Sequence, residues 1–282
     1  AYNEELFVAR AIDSVLSQTI RPEQIVVVDD GSTDDTAAVV RRYAADGVEH
    51  VFQQNAGLAS ARNTGIRAAR GKFVGCLDAD VEWKEYLVED VKEILDRHPD
   101  LAWATSPYVR LFEDGNTEFV RSVGSEILKD GVIENYFAAQ AEYEFSISSN
   151  MFIKRSVFEA VGNFDTEISQ YGEDIDMWFR IALRYPRMGY TDRVGAVYWA
   201  RTGSIMHKDP RDVAHHLMRV RKAEGHAILA GDVAAKRSEP LLLDWVWTQV
   251  KDAAELGNKS ALDHIARFYG RRLPWKRRLI LD

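Results

Sequence analysis

Two apolar runs that each end in carboxylates constrain this chain more than any other feature. Gln24 to Val28 is rich in β-branched residues and runs into Asp29-Asp30-Gly31, and Lys72 to Leu77 runs into Asp78-Ala79-Asp80. Runs this short and this apolar read as buried parallel strands that open into loops. Helix-period segments separate them. Val8, Ile12, Val15 and Leu16 recur at helical spacing and predict an amphipathic helix over 4–18. Ser32 is placed to cap a helix over 33–45, with Asp34 and Asp35 in its first turn. Residues 48–53 read as the next strand, and 60–70 as a helix stopped by Gly71. Strand and helix in alternation predict an open, mostly parallel α/β sheet flanked by helices. Such sheets bind ligands beyond the carboxyl ends of their strands, so the two acidic clusters are expected at one crevice.

The second half is more mixed. Segments 101–111 and 117–123 flank Glu113-Asp114-Gly115-Asn116 and read as a hairpin, 145–154 as a strand, and 174–184 as a helix. From about Asp209 the pattern is helical to the end, which gives a division into 1–205 and a C-terminal helical extension over 206–282. Net charge is −8, which excludes nucleic-acid binding through bulk charge. Cys76 is the only cysteine, so no intrachain disulfide forms, which fits a reducing, cytoplasmic setting. No apolar run reaches the roughly 18 residues of a membrane-spanning helix. The basic, aromatic stretch from Arg267 to Arg278 fits peripheral contact with an anionic membrane, or a solvated surface helix.

Three acidic groups carry candidate chemistry, and each has a plainer reading beside it. Asp78 and Asp80, two residues apart at a strand end, can face one side and hold a hard cation such as Mg²⁺ or Mn²⁺ together with phosphate oxygens; otherwise they are solvated loop acids. Asp29 and Asp30 can accept from a nucleobase N–H, or cap the helix that follows. Glu173 and Asp174, after Gly172 at a helix start, can supply a general base, or act as caps. Asp176 and Arg180 form an ordinary i,i+4 pair. Trp178, four residues after Asp174, is placed either to shape a binding pocket or to sit in the core, whereas Trp245 reads as packing.

In this order and spacing, these segments resemble the family 2 glycosyltransferases. The resemblance rests on Tyr2-Asn3-Glu4-Glu5, on Val26 to Asp34, on Asn55-Ala56-Gly57-Leu58-Ala59-Ser60-Ala61-Arg62-Asn63, on Leu77 to Asp80, and on Gly172-Glu173-Asp174. It covers roughly residues 1–205. It implies the GT-A fold, a Rossmann-like sheet, with a nucleotide-sugar donor, a UDP-sugar being expected, and Mn²⁺ or Mg²⁺. By the same resemblance a hexosyl or N-acetylhexosaminyl group passes with inversion to a glycan or lipid-linked acceptor, in bacterial surface polysaccharide or glycoconjugate synthesis. Position by position, Tyr2, Glu4, Asp29, Asp30, Asn55, Gly57, Arg62, Asp78 and Arg201 would bind the nucleotide-sugar. Asp80 and His207 would hold the metal, Asp174 would be the base, and Glu173 its neighbour. The family's first strand precedes the Tyr2 motif, so the chain reads as part of a longer protein. The Gln-x-x-Arg-Trp motif of processive membrane synthases is absent, which points to addition of one or a few sugars. A sugar nucleotidyltransferase and a non-catalytic GT-A scaffold domain are the competing readings.

Overall fold

In this computed structural model, residues 1–112, 116–119, 122–143, 145–168, 172–200, 213–255, 257–270 and 272–273 are described. The first third alternates as expected: α1 (Val8–Leu16), β1 (Ile25–Asp29), α2 (Thr36–Arg41), β2 (Val48–Phe52), α3 (Leu58–Ala68) and β3 (Phe73–Gly75). Then come β4 (Val81–Trp83), α4 (Leu87–Arg97), β5 (Trp103–Thr105), β6 (Tyr108–Phe112) and β7 (Thr117–Phe119). The next run is β8 (Leu128–Lys129), β9 (Val132–Ile133), α5 (Tyr136–Tyr143), β10 (Phe152–Lys154) and α6 (Arg155–Val161). The chain continues through α7 (Glu173–Arg184), β11 (Met188–Tyr190) and β12 (Ala196–Ala200). It closes with α8 (Val213–Leu229), α9 (Asp232–Glu255) and α10 (Lys259–Tyr269).

The α/β class holds, but the expected mostly parallel sheet does not. Among the described residues only β1–β2, β5–β11 and β6–β12 pair in parallel, and the remaining pairs, most of them made by short strands of the second half, are antiparallel. β1 and β2 pair in parallel, in register from Ile25 opposite Val48 to Asp29 opposite Phe52. Ala1 extends this edge, since its amine donates to Val28 O at 2.7 Å and its carbonyl accepts from Asp30 N at 2.8 Å. A six-stranded sheet runs β3-β10-β5-β11-β9-β8, with only β5 and β11 parallel. A third sheet runs β4-β12-β6-β7 and contains the expected hairpin as β6 and β7.

Where boundaries moved, a side chain explains it. α1 starts at Val8 because residues 3–5 are stitched to the loop after β1. Asn3 Oδ1 accepts from Thr33 N at 2.8 Å, Glu4 N donates to Thr36 Oγ1 at 2.8 Å, and Glu5 Oε2 accepts from Asp35 N at 2.8 Å. Ser32 does not cap α2, because its hydroxyl accepts from Asn3 N at 3.0 Å. The strand expected over 145–154 is reduced to β10. Ser148–Asn150 is a 3₁₀ turn, and Asn150 Nδ2 donates to Ser106 O at 2.7 Å instead of continuing a ladder.

The main core spans the sheet and the last helices. Trp103, Phe137, Met151, Ile153, Trp178 and Phe179 are buried with Leu241, Val246, Val250 and Ile265 in one cluster. α9 packs on α5 and α7, so the C-terminal helices close the same core as the sheet. Leu241→Ala, at a side chain 1% exposed, is therefore expected to cost about 2–5 kcal/mol of global stability in a single transition. Denaturant unfolding followed by tryptophan fluorescence checks this; an unchanged midpoint would mean that the helices do not contribute to that core.

Candidate active site

The loop after β1 is held by its own acids. Asp29, 0% exposed, accepts from Ser32 N at 2.9 Å and lies 3.4 Å from His50 Nε2. Burial pushes its pKa up, but the Ser32 hydrogen bonds and His50 outweigh burial and hold it below the ordinary aspartate range. Asp30, also buried, accepts from Gln53 Nε2 at 2.6 Å and from the backbone N–H groups of Ala56 and Gly57, each at 2.9 Å. Its carboxylate thereby fixes the Asn55-Ala56-Gly57 turn that leads into α3. Gly31 permits this approach, because at φ +77° a Cβ would lie 2.7 Å from Asn55 N. Tyr2, 47% exposed, and exposed Asn55 stand at the surface of this corner.

From α3, Arg62 reaches both other acidic groups. One terminal nitrogen, Nη2, donates to Asp78 at 3.0 and 3.2 Å and to Ser148 Oγ at 2.9 Å. The other, Nη1, pairs with Glu173 at the start of α7. Its side chain is only 9% exposed. Burial opposes its charge, but Asp78, Glu173 and Asp174 more than compensate and raise its pKa. The neighbouring Asn63 completes the link by a reciprocal pair: Nδ2 donates to Phe164 O and Oδ1 accepts from Phe164 N, both at 2.8 Å. Residues 62 and 63 thus tie α3 to the loop before α7.

Asp78 also accepts from Ser149 Oγ at 2.5 Å. Burial raises its pKa, while Arg62 and the Ser149 hydroxyl outweigh that and leave it lowered overall. Glu173 moves the other way, because burial and the Asp174 charge raise its pKa more than Arg62 lowers it. Asp174 is half-buried, and its Oδ1 accepts from Ile175 N at 2.8 Å. Asp176 turns away from this cluster to Arg180 at 2.8 Å and to His226 at 3.5 Å. Asp80 is half-buried, and its carbonyl is fixed by Trp199 N at 3.0 Å.

The structure therefore brings Arg62, Asp78, Glu173 and Asp174 together, with Asp80 two residues beyond Asp78. Arg201 and His207 lie outside the described residues. Among the described residues no group of three or more His, Cys, Asp or Glu side chains forms a ready metal cage. The acids present suit a cation that draws its remaining ligands from phosphate. Ser148, Ser149, Gln53 and Asn63 were missed by the sequence reading. The polar run from Ser146 to Asn150, inside a supposed strand, was the available signal. Trp178 resolves to core at 1% exposed. Trp245 packs as expected, partly buried against the same core with its ring centroid 5.6 Å from that of Phe179, and also lines a cavity of about 160 Å³ between α7 and α8. Burial raises the Cys76 thiol to about 11, which leaves it protonated and unreactive.

Carboxylates follow the ends of β1 and β3 in this mixed α/β fold, where sheets of this kind bind their ligands. The chain belongs to glycosyl transferase family 2, whose model matches residues 1–162. It is 27% identical over 215 residues to the glycosyltransferase GlyA of Streptococcus pneumoniae, across 72% of this chain and 30% of that protein. It is 38% identical over 96 residues to the chondroitin synthase of Escherichia coli, across 33% of this chain and 13% of that one. It thus spans less than a third of either relative's length. Among solved structures it is similar to Staphylococcus aureus TarS 1–349 in complex with UDP-GlcNAc. The TM-score is 0.76 at 18% identity, over 99% of this chain and 81% of that one, a likeness that shows the GT-A fold.

The Asp78 shift gives a signed pH prediction. A carboxyl whose folded pKa lies below its unfolded value, about 3.9, stabilises the fold above that value and loses this contribution as pH falls. Removing the titrating group in Asp78→Asn is expected to flatten the fall in Tm between about pH 5 and pH 2.5 relative to the parent chain. Thermal melts across that range check it; parallel curves would contradict the assignment.

Proposed function

We propose that the chain transfers a hexosyl or N-acetylhexosaminyl group from a UDP-sugar to an acceptor hydroxyl with inversion, assisted by Mn²⁺ or Mg²⁺. The observation that carries this reading is the Arg62 bridge, which joins the acid after β3 to the acid pair opening α7. A donor site and a base site then share one wall. The charge balance supports a cation. Asp78, Asp80, Glu173 and Asp174 together outweigh the single charge of Arg62, and a diphosphate approaching them is repelled unless a cation accompanies it.

In this reading Tyr2 stacks on the nucleobase, Asp30 accepts from it while Asp29 supports the turn, and Glu4, Asn55 and Gly57 border the nucleotide. Asp78 faces the ribose or sugar. Asp80, with His207, would hold the metal, and Arg201 would face the diphosphate. When bound, the cation supplies Lewis acidity at the leaving diphosphate. Asp174 takes the proton from the acceptor oxygen as that oxygen attacks, a contribution of roughly 10²–10⁴-fold. Glu173 is committed to Arg62, which supports a single base and single displacement, since retention by double displacement requires a second positioned nucleophile. Residues 1–205 carry the transfer and 206–282 support it. The likeness to a UDP-GlcNAc-bound structure supports the donor class, and the likeness to a polysaccharide synthase supports a role in surface polysaccharide or glycoconjugate synthesis.

The acceptor is a glycan or lipid-linked saccharide, met from the cytoplasmic face. Among the described residues no helix is long and apolar enough to cross a membrane. Exposed Arg267 and Phe268 at the end of α10 support peripheral contact, although Arg272 is occupied by Glu224 and Glu239. The remainder of the basic tail, residue 271 and residues 274–282, lies outside the described residues. Cosedimentation with phosphatidylserine vesicles that weakens as salt is raised is the expected result; no sedimentation of the intact chain would exclude this contact.

Calorimetric titration with UDP, GDP and dTDP, each with Mn²⁺ and again with EDTA, tests the site. UDP is expected to bind only with metal, to lose binding in Asp80→Ala and to keep it in Asp174→Asn. Absence of binding by all three nucleotides would favour a scaffold domain over an enzyme.

A further inference from the structure

Helix α8 reaches the start of α7 through three basic side chains at helical spacing, Arg219, Lys222 and His226. Lys222 is ion-paired with Asp165 in the loop before α7. His226 Nε2 lies 3.5 Å from Asp176 Oδ1 in the first turn of α7. One turn before Lys222, Arg219 lies across Gly172, the residue that immediately precedes the acid pair. A Cβ on Gly172 would sit 2.2 Å from Arg219 Nη1 and 2.8 Å from its Cδ. Gly172 also holds φ +95°, and its carbonyl accepts from Asp176 N at 3.0 Å to start the helix. The glycine is therefore required by its backbone angle, and the Arg219 side chain fills the space that its missing Cβ leaves.

This placement is unusual on electrostatic grounds. A cation beside the amino-terminal end of a helix opposes the helix dipole, so the helix itself gains nothing from it. The first turn of α7 carries Glu173, Asp174 and Asp176, of which Glu173 pairs with Arg62 and Asp176 with Arg180 and His226. The Arg219 side chain fills the notch just before them.

We infer that Arg219 is a positioning residue for the Glu173–Asp174 pair, so that the C-terminal helices set the geometry of the base. This rests on the assignment of Asp174 as base. Misplacement of a catalytic group by about 1 Å costs on the order of 10²-fold in rate. Lys222 anchors the same helix one turn away without touching Gly172.

The test uses Arg219→Ala, Gly172→Ala, the double variant and Lys222→Ala in the full chain. Hydrogen–deuterium exchange is read over residues 172–177, and steady-state hydrolysis of UDP-GlcNAc is read in parallel. Arg219→Ala is expected to speed exchange there about tenfold and to lower kcat about 10–100-fold, with KM and UDP affinity nearly unchanged. Arg219→Lys is expected to recover part of both losses. Lys222→Ala is expected to lower Tm with little change in kcat. Gly172→Ala is expected to cost less stability in the Arg219→Ala background than alone, because the clash is gone. Unchanged exchange in Arg219→Ala would overturn the inference, and so would a parallel loss of UDP affinity, which would make Arg219 a nucleotide contact. The exchange readout needs no turnover. Failure of the chain to hydrolyse UDP-GlcNAc would count against the donor assignment and leave the test of Arg219 intact.

Discussion

One buried guanidinium organises the site. Arg62 is enclosed by carboxylates from two distant segments, and removing a partner from such an arrangement leaves an uncompensated charge in a poorly solvated place. β3 and α7 are separated by almost 100 residues of chain that contain two hairpins, three helices and several two- or three-residue strands. Arg62, on α3, pairs with both acids. The relative placement of Asp78 and Glu173 therefore depends on Arg62, on the Asn63 clasp of Phe164, and on Ser148 and Ser149, which bond to Asp78 from a third segment.

The sequence motifs are folding devices before they are chemistry. Asp30 spends its carboxylate on Gln53 and on the turn at residues 55–57, which sets the direction of α3 and so the reach of Arg62. Asn3, Glu4 and Glu5 are interlocked with Ser32 to Thr36 through backbone and side-chain hydrogen bonds in both directions. A substitution in either segment disturbs the other. The apparent independence of motifs 30 residues apart in the chain disappears in the fold.

Much of the first third was legible because its elements carry strong periodic signals. β1, β2 and α3 fall within a few residues of their expected positions, and both acidic runs do open at strand ends. The misplacements have local causes. The helix expected over 33–45 lost its first turn to hydrogen bonds that Asn3 and Glu5 make from the other side of the corner. The second half was harder because strands of two or three residues have no period to read, and their order depends on pairings between distant segments. Trp178 shows the same limit. It sits on an amphipathic helix, and only the packing around α7 decides that it enters the core. Nothing in the sequence links Arg219 to Gly172, since that contact depends on how α8 lies against a loop almost 50 residues earlier.

The most direct test of the central claim is a double-mutant cycle between Asp78→Asn and Glu173→Gln, measured on folding stability with Arg62 present and again in an Arg62→Met background. If Arg62 couples the two acids, the cycle yields an interaction energy of about 0.5–3 kcal/mol in the first background and none in the second. Additive losses with Arg62 present would contradict the account and mean that the two acid groups are placed independently.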